Sequence, residues 1–575
     1  MTDKLKLQIK GLCSWTRNQR VVFWLFLGAL ILPNVIMLFT ESTSLLTRFT
    51  GVVLPFALYW LVYSMWKKPG KPFWWLFIFV FFAAFEIVLL FLFGESPIAV
   101  DMFLNLTTTN ISEVNELLTG LISAIVFVCL VYVPCMILAV MSIRNKEVLS
   151  DNFRKNQRLN SSILLFLGLF MLLINYANDN FFVFRNDIFP FNACYNLGLS
   201  VDRVIRTNDY ATTSANFTYG AQSERADSVN EVYVLVIGEA LRADNMRIYG
   251  YERNTTPNMS ALVNDSSMVV YRDAITMSNT THKSVPMLLS GVASEAFDSI
   301  YYRKSIITAF KEAGFKTAYY SNQSRNRSFI EFFGNEADDV VFLKDNVVLT
   351  DTVPDMELTS LLRQRLAAYD GGKLFVVLHC YGSHFNYNDR YPKEMARYKP
   401  DVIPSAKRKY RVQLVNAYDN SALQTDEVVH QVVLALSEKQ VNSAMIFASD
   451  HGEDLFDDSR GRFLHASPQT TYYQLRVPLC VWCSPQYRQT YAKKWEAINS
   501  TKEIPVSTNK VIFHTLLDMA GISTPSLLPN EALSSGVFEE SERMYVNDHN
   551  ELLPLRRSGL KNEDFHEFET HRLKY

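Results

Sequence analysis

The sequence has few charged residues and no excess of either sign. Of its 575 residues, 20% are Asp, Glu, Lys or Arg, and the formal net charge is −2. Proteins that bind the phosphate backbone of nucleic acids carry a basic patch or stripe. No such basic cluster stands out in this sequence. The composition therefore argues against nucleic acid as a partner.

The chain also lacks the cysteine pattern of a small disulfide-stabilised domain. Its seven cysteines lie at scattered positions, whereas disulfide scaffolds have closely spaced cysteines. Cys480 and Cys483 have the CxxC spacing, but they lie in the apolar run VPLCVWC. In a strand, residues at this spacing point to opposite faces. A redox or zinc role for this pair is not favoured.

Apolar residues are abundant and concentrate in the first third of the chain, with 49% overall. There are five apolar stretches, most of which approach the roughly 20 residues that cross a bilayer as a helix, although the last is short. They lie at about 21–40, 50–66, 73–93, 120–141 and 162–176. A cleavable signal peptide would instead have one early apolar core and a small-residue cleavage site. The pattern predicts a five-helix transmembrane bundle over residues 1–176.

Basic residues indicate how this bundle is oriented. Lys and Arg concentrate before the first apolar stretch, between the second and third, and between the fourth and fifth. Cytoplasmic loops carry this excess. The amino terminus is therefore predicted to be cytoplasmic, and the chain from about residue 177 onward is predicted to lie on the opposite side of the membrane. Residues 177–230 are rich in Asn, Asp, Ser and Thr with weak periodicity, which predicts a linker with a few interfacial turns.

The outward loop at about 94–119 contains more polar and acidic side chains than a simple connector needs. One interpretation is an amphipathic helix at the membrane interface. The alternative is that Asn105, Thr109 and Glu113, spaced by four residues, share one helical face and contact a lipid headgroup. A carboxylate in that position would suit an ammonium group. The spacing alone leaves both interpretations open.

From residue 231 the pattern becomes that of an α/β domain. Apolar runs typical of buried strands alternate with helical segments: VYVLVIG, TAYYSN, KLFVVLH, SAMIFAS and VPLCVW. This alternation predicts a largely parallel sheet covered by helices on both faces. Functional residues of such sheets lie beyond the carboxyl ends of the strands, so the side chains delivered there should meet at one edge.

Five side chains of metal-binding type follow these strands closely. Glu239, His384, Asp450 and His451 come at or just after strand ends, and His465 follows soon after. Imidazole and carboxylate groups without a thiolate are typical of a catalytic zinc site. The alternative for Asp450 and His451 is that they only cap the turn after the strand through hydrogen bonds.

The segment MSNTTHKSVPMLLSG contains the candidate nucleophile. Thr280 and Thr281 precede a predicted helix, whose amino terminus would favour an anion such as phosphate. A threonine hydroxyl bound to zinc would ionise more readily and attack phosphorus. Thr281 could instead serve as a helix N-cap, and the two roles are compatible.

Five motifs, taken in order, resemble the membrane-bound phosphoethanolamine transferases of Gram-negative bacteria, which belong to the alkaline phosphatase and sulfatase superfamily. The motifs are VIGEALRADNMRIYGYERNTTPN, NTTHKSVPMLLSG, HCYGSHFNYNDRYP, NAYDNSALQTD and SDHGEDL with FLHA. The resemblance covers nearly the whole chain. It implies an alkaline-phosphatase/sulfatase-like catalytic domain at 231–575, following the transmembrane domain and the linker.

The resemblance also implies roles for individual residues. The residues that match the family's zinc ligands are Glu239, Thr281, Asp450 and His451. Thr281, three residues before Ser284 of the Ser-Val-Pro motif, matches the threonine that becomes phosphoethanolaminylated. His384 and His465 match the histidines that contact the transferred phosphate or a second zinc. The residues that match the helix holding the donor lipid are Asn105, Thr109 and Glu113.

By resemblance, the protein is expected to transfer phosphoethanolamine from phosphatidylethanolamine to lipid A or the lipopolysaccharide core. It would be a multi-pass monomer of the bacterial inner membrane, surrounded by membrane lipids, with a periplasmic catalytic domain. One Zn²⁺ would be firmly bound, with room for a second during turnover. Because the transferred group offsets phosphate charge, the expected outcome is lower sensitivity to cationic peptides such as polymyxin.

The chain departs from the better-known members near the nucleophile. Those members have cysteines, tied into disulfides, in the stretch that is Ser278 to Thr281 here and at the position of Met287. They also have small or neutral residues where this chain has His282 and Lys283, which could contact the acceptor phosphate or simply be exposed. Rigidity of this loop and acceptor choice are therefore expected to differ.

Two other enzyme classes are weaker matches. A sulfatase would need Cys-x-Pro-x-Arg or Ser-x-Pro-x-Arg to form formylglycine, and the nearest strings, SVPML and CSPQY, lack the arginine. A phosphoglycerol transferase of the lipoteichoic acid synthase type shares the five-helix plan and a threonine nucleophile. The YGYERNT stretch and the Asn-Thr-Glu loop favour ethanolamine over glycerol.

Overall fold

The computed structural model describes residues 17–41, 43–94, 98–108, 111–179, 182–346 and 353–575. It divides into two compact units. The first comprises the described residues up to Leu104 together with Leu117–Val201, and the second comprises Asn105–Glu116 and Asp202–Tyr575.

The described part of the amino-terminal third of the chain is helical. Its helices are α1 (Gln19–Thr40), α2 (Leu45–Met65), α3 (Gly70–Trp75), α4 (Phe77–Phe93), α5 (Val100–Thr108), α6 (Ile111–Arg144), α7 (Asp151–Asn178), α8 (Phe184–Asp187), α9 (Phe191–Asn208) and α10 (Tyr210–Thr213). Among the described residues, four helical stretches are long and apolar enough to cross a membrane: α1, α2, Leu121–Arg144 of α6, and α7.

The third predicted span, 73–93, is shorter in the structure than in the prediction. Leu76 has φ −94° and ψ 20°, which interrupts the helix, so the apolar stretch that remains is Phe77–Phe91. Because α3 and α4 are both apolar at the break, hydropathy does not reveal it. The fifth span, predicted to be short, is a helix of 28 residues, since a polar segment that begins at Asp151 precedes its apolar part.

Polar and small residues join α2 and α7 inside the first unit. Thr47 Oγ1 donates to Asn175 Oδ1 over 2.9 Å, and Asn175 Nδ2 donates to Thr50 Oγ1 over 2.8 Å. Gly168 of α7 lies so close to Leu54 that a Cβ atom would be 3.0 Å from the Leu54 Cα. Close approach at a small residue and hydrogen bonds between helices are the usual basis of helix packing in membranes.

Helix α9 corrects the prediction of a linker with a few turns over 177–230. It has 18 residues, and its buried face consists largely of polar side chains, including Asn192, Asn196, Ser200 and Arg203. The amides of Asn192 and Asn196 both donate to the Ile98 carbonyl, at 3.3 and 2.7 Å. The apolar side chains of Val201 and Ile205 are instead 52% and 55% exposed, which reverses the usual arrangement of an amphipathic helix on a core.

The second unit contains the strands β1 (Gln222–Ser223), β2 (Glu231–Gly238), β3 (Met268–Val270), β4 (Ala274–Ile275), β5 (Lys316–Ser321), β6 (Asp339–Phe342), β7 (Lys373–His379), β8 (Asn442–Ser449), β9 (Asp454–Leu455), β10 (Phe463–Leu464), β11 (Leu479–Cys483), β12 (Val506–Ser507), β13 (Ile522–Ser523), β14 (Met544–Val546) and β15 (Leu552–Pro554). Seven form the central sheet in the order β3-β11-β8-β2-β7-β5-β6. The five strands from β8 to β6 are parallel, whereas β11 is antiparallel to its neighbours. The predicted largely parallel sheet is confirmed.

Helices of the second unit include α11 (Pro257–Asn264), α12 (Thr281–Ser290), α13 (Ile306–Glu312), α14 (Phe329–Gly334), α15 (Met356–Ala367), α16 (Arg411–Glu438), α17 (Tyr472–Leu475), α18 (Pro485–Thr490), α19 (Ala492–Ser500), α20 (Thr508–Met519) and α21 (Asn562–Thr570). They cover both faces of the sheet and create two hydrophobic cores. Leu235 of β2 packs into one core and Val234 into the other, as the alternation of a strand requires. Cys483 and Cys480 also separate between the two cores, and both thiols are free.

Candidate active site

Two neighbouring parallel strands bring the candidate acidic residues together. Strands β2 and β8 pair up to Gly238 and Ser449, so Glu239 and Asp450, the next residues of each, emerge side by side. The Asp450 amide donates to the Gly238 carbonyl over 3.1 Å, and the Ala240 amide donates to Asp450 Oδ1 over 3.1 Å. Asp450 therefore does cap this turn, as the alternative interpretation predicted. The cap uses only one of its two carboxylate oxygens, Oδ1.

Thr281 lies at the centre of this group as the first residue of α12. Its Oγ1 is 3.1 Å from Glu239 Oε1, to which it donates, and 3.0 Å from His451 Nε2. Thr280, the preceding residue, is extended and its hydroxyl pairs with Ser278 instead, at 3.2 Å. Of the two threonines, Thr281 is therefore the one that faces the acidic residues.

The donor atoms around His451 form a site suited to a cation. His451 Nε2 is 3.3 Å from both Glu239 Oε1 and Asp450 Oδ2, and all three side chains are buried. Asp450 Oδ2 accepts no hydrogen bond, which is costly for a buried carboxylate oxygen unless a cation contacts it.

The pKa values of this group have the same implication. Burial, reinforced by Glu239, raises the pKa of Asp450 to about 7. Burial alone would lower the pKa of His451, but Asp450 and Glu239 outweigh it and raise that pKa to about 10. The carboxylates thus hold a positive charge at His451 when no metal is bound, and a bound cation would take its place.

Four hydrogen bonds fix the orientation of these groups. Gln323 Nε2 donates to Glu239 Oε2 over 3.2 Å and to the Cys380 carbonyl over 3.0 Å. His451 Nδ1 is 2.9 Å from the Gly452 carbonyl, which leaves Nε2 directed at Thr281. Ser284 Oγ donates to the Asp450 carbonyl over 2.6 Å and thereby ties α12 to the end of β8.

His465 joins the cluster with a carboxylate that the sequence analysis did not identify. One ligand atom each from Glu239, His451 and His465 all lie within 4.8 Å of one another. Glu453 Oε2 is 2.8 Å from His465 Nδ1, and Glu453 Oε1 accepts from the Tyr387 hydroxyl over 2.8 Å. A carboxylate that orients a metal-binding histidine is a recurring arrangement, but its place in the sequence follows no fixed spacing.

His384 lies at the outer side of this group. Its ring is 5.7 Å from that of His465 and stacks on Tyr381 at 4.9 Å. Burial, with further contributions from His465, Arg390 and Lys344, lowers the pKa of His384 well below its ordinary value. His384 is therefore neutral at physiological pH and available as an acceptor or ligand.

The remaining candidate residues lie in the segment at about 94–119 that is predicted to face outward. Thr109 falls outside the described residues, as do the side chains of Asn105 and Glu113, although the backbone of Asn105 belongs to α5 and that of Glu113 to α6. Their proposed contact with a lipid headgroup stays a prediction.

Buried polar side chains support the segment before α12, where the better-known members have disulfides. Asn279 Nδ2 donates to Gln474 Oε1 over 2.7 Å, and Asn279 Oδ1 accepts from the Tyr545 hydroxyl over 2.9 Å. Lys283 is only 2% exposed, and its Nζ donates to the Asn547 carbonyl over 2.8 Å. Simple surface exposure of Lys283 is therefore excluded.

A family model and a curated relative match the second unit of this chain or extend over more than half of its length. A family model described as Sulfatase matches residues 231–522. The chain is 29% identical over 360 residues to the Kdo(2)-lipid A phosphoethanolamine 7''-transferase of Salmonella typhimurium, covering 60% of this chain and 61% of that protein. The alignment with this curated relative thus covers less than two thirds of its length.

Two solved structures share the fold. The integral membrane protein lipooligosaccharide phosphoethanolamine transferase A from Neisseria meningitidis superposes with a TM-score of 0.70 at 20% identity, covering 89% of this chain and 97% of that one. The carboxy-terminal periplasmic domain of the Escherichia coli transferase EptC, in complex with zinc, gives a TM-score of 0.54 at 24% identity, covering 60% and 97%.

Proposed function

Because the chain belongs to the sulfatase family, we propose that it transfers phosphoethanolamine from phosphatidylethanolamine, through Thr281, to lipid A or the lipopolysaccharide core. The observation that carries this proposal is the Thr281 hydroxyl, held 3.1 Å from Glu239 Oε1 and 3.0 Å from His451 Nε2 at the start of a helix. The name of the Salmonella typhimurium relative supports the group transferred and the class of acceptor.

We propose zinc as the cofactor. The ligands would be Glu239, Thr281, Asp450 and His451. The buried Asp450 Oδ2, which accepts no hydrogen bond, supports this assignment. Bound there, zinc would act as a Lewis acid that makes the Thr281 hydroxyl easier to ionise. The zinc complex of the Escherichia coli domain is consistent with this choice of metal. A second zinc, or the transferred phosphate, would lie beside His384 and His465.

The proposed transfer has two steps. In the first, Thr281 Oγ1 loses its proton and forms a bond to phosphorus, the bond from phosphorus to the diacylglycerol oxygen breaks, and the leaving oxygen takes up the proton that the threonine lost. In the second, an acceptor oxygen attacks the same phosphorus, the bond to Thr281 breaks, and the acceptor proton goes to the threonine. The start of α12 favours the phosphate oxygens, and Gln323 keeps Glu239 directed at Thr281.

The membrane helices fit this function. We propose that they anchor the enzyme in the bacterial inner membrane with the amino terminus in the cytoplasm and the sulfatase-family unit in the periplasm, as a monomer. The face predicted for Asn105, Thr109 and Glu113 would hold the donor headgroup. An aminoethyl group on a lipid A phosphate would reduce the negative surface charge and with it the binding of polymyxin.

Intact-mass analysis tests the donor and the nucleophile together. The purified full-length chain is incubated with zinc and phosphatidylethanolamine, and a mass gain of one phosphoethanolamine group is expected. Thr281→Ala should abolish the gain. Thr280→Ala is the matched control, because this adjacent threonine pairs with Ser278 rather than with Glu239, and it should retain the gain.

A second arm with phosphatidylglycerol separates the rival enzyme class. A phosphoglycerol adduct from this lipid, without one from phosphatidylethanolamine, would assign the chain to the phosphoglycerol transferases. An adduct that persists in Thr281→Ala would show that another residue is the nucleophile.

A further inference from the structure

One buried side chain, that of Gln474 in α17, hydrogen-bonds to two segments of the candidate active site. It is 1% exposed. Its Oε1 accepts from Asn279 Nδ2 over 2.7 Å, and its Nε2 donates to Asp454 Oδ2 over 2.6 Å. Asn279 lies two residues before Thr281, and Asp454 directly follows Glu453. Gln474 thus connects the segment before the helix α12 with the segment after β8.

Further hydrogen bonds extend these contacts to both histidines of the cluster. The Gly452 amide donates to the Gln474 carbonyl over 2.8 Å, and the Gly452 carbonyl is 2.9 Å from His451 Nδ1. The Leu464 carbonyl accepts from Gln474 Nε2 over 3.3 Å, and His465 is the next residue. The same glutamine therefore contacts the chain directly beside each of these two histidines.

Backbone packing also ties α17 to the site. A Cβ atom on Gly452 would lie 2.1 Å from the Tyr473 carbonyl oxygen, which is closer than a side chain tolerates. Glycine permits such close approach of two backbone segments because it lacks a Cβ atom. The position of α17 and that of the chain after His451 are therefore set together.

The neighbours of this side chain match an amide. Asn279 Nδ2 is a donor, Asp454 Oδ2 is an acceptor, and all three side chains are buried. A glutamine satisfies both neighbours at once, because it accepts through its oxygen and donates through its nitrogen. A buried polar group that loses its partner is destabilised. The network therefore favours one arrangement, in which Asn279 is held in place.

We infer that Gln474 is a positioning residue for the transfer: through Asn279 it sets the place of the Thr281 hydroxyl relative to His451. The inference rests on the proposed function and deepens it. In the described part of the chain Gln474 makes no hydrogen bond to Thr281 itself, so it acts through its neighbours. Positioning of this kind matters because a displacement of about 1 Å can lower a reaction rate by about 100-fold.

The rate at which Thr281 is loaded tests this role. The full-length chain in detergent is mixed with excess zinc and with phosphatidylethanolamine at several concentrations, and the phosphoethanolamine adduct is followed over time by intact mass. Each time course gives a rate constant and an amplitude, which is the fraction of molecules that become loaded. A displaced Thr281 lowers the rate constant at saturating lipid, whereas partial unfolding lowers the amplitude.

Gln474→Met nearly preserves the size of the side chain but removes its hydrogen bonds. It should lower the rate constant at saturating lipid by about 10- to 100-fold, with the amplitude and the half-saturating lipid concentration unchanged. Asn279→Ala should have a similar effect. The double variant should lose little more than either single variant, because both substitutions break the same connection.

Gln424→Met is the matched control. Gln424 is also buried, at 2% exposure, but its side chain makes no hydrogen bond within the described residues. This variant should load at the rate of the wild type. A tenfold slower rate constant here would show that loss of any buried glutamine slows loading, which would overturn the inference.

The remaining outcomes are also decisive. A wild-type rate constant in Gln474→Met, whether the amplitude is full or reduced, would overturn the inference alone. Losses that multiply in the double variant would also overturn it, because the two residues would then act independently. If no Gln474→Met protein becomes loaded, Asn279→Ala decides, and a wild-type rate constant there would overturn the inference. Absence of any adduct in the wild type would overturn the proposed function and the inference together.

Discussion

At the scale of single residues, Glu453 orients the ring of His465 through a hydrogen bond and does not itself contact Thr281. Its carboxylate is shared between the Tyr387 hydroxyl and His465 Nδ1, both at 2.8 Å. Because Nδ1 is engaged, Nε2 is the ring atom of His465 left for phosphate or metal. Burial raises the pKa of Glu453 to about 8, so this carboxyl group exchanges protons near physiological pH.

We expect Glu453→Gln to lower the transfer rate by about 10- to 100-fold, as for other residues that orient metal-binding histidines. The substitution keeps the shape of the side chain but removes the acceptor pair that sets the ring of His465. Tyr387→Phe removes only one hydrogen bond to the same carboxylate and should have a much smaller effect. Transfer rates and thermal midpoints of the two variants check this, and full activity in Glu453→Gln would contradict it.

The site residues that the sequence could predict are those whose place follows from the strands, because functional side chains lie just beyond the carboxyl ends of parallel strands. Glu239, Asp450 and His451 follow strand ends, and the parallel sheet brings strand ends together, so their meeting follows from the pattern. Glu453 and Gln323 act through hydrogen bonds across the fold. No sequence spacing specifies such contacts, and only the three-dimensional structure reveals them.

At the scale of elements, the packing of helix α12, which begins with the proposed nucleophile Thr281, depends on the residue that follows its last turn. Gly291 follows the helix with φ +68°, and a Cβ atom there would lie 2.7 Å from the Phe513 ring of α20. A positive φ strains any residue with a side chain, and this position adds a steric clash. Gly291 thus sets the packing of α12 against α20.

Gly291→Ala is expected to lower the free energy of unfolding by about 2 to 4 kcal/mol, from backbone strain together with overpacking. Gly314→Ala is the matched control: it also has a positive φ, +84°, but no atom lies within 4 Å of the added Cβ, so only about 1 kcal/mol of strain is expected. Chemical denaturation of both variants measures the difference. Equal losses would show that the Phe513 contact is unimportant.

The elements themselves differ in how far the sequence could predict them. The long strands of the sheet are continuous apolar runs, such as the one from Val232 to Gly238, and they are recognisable without further information. Helix α9 is harder to interpret, because Asn192 and Asn196 are buried while its apolar Val201 and Ile205 are exposed. The break at Leu76 could not be predicted either, since a change in backbone angles within an apolar stretch does not change the hydropathy.

At the scale of the whole molecule, two compact units are built on different physical principles. The first is held by apolar helices with a few hydrogen bonds between them, such as those of Asn175. The second has two cores on the faces of a sheet and an edge where the buried carboxylates of Glu239 and Asp450 meet. The proposed zinc would bind at this edge. A ligand of that edge should therefore stabilise the second unit selectively.

We expect chelation of zinc to destabilise the second unit and to leave the first unchanged. A ligand present at a thousand times its dissociation constant adds about 4 kcal/mol of stability to the unit that binds it. Hydrogen exchange of the full-length chain in detergent, with and without chelator, measures both units in one sample. Peptides from β2 and β8 should lose protection, whereas peptides from α2 and α7 should not. Asp450→Asn removes one of the proposed anionic ligands, so hydrogen exchange of this variant should respond little to chelator. Equal loss of protection in both units, or an undiminished response in Asp450→Asn, would contradict a metal bound at this edge.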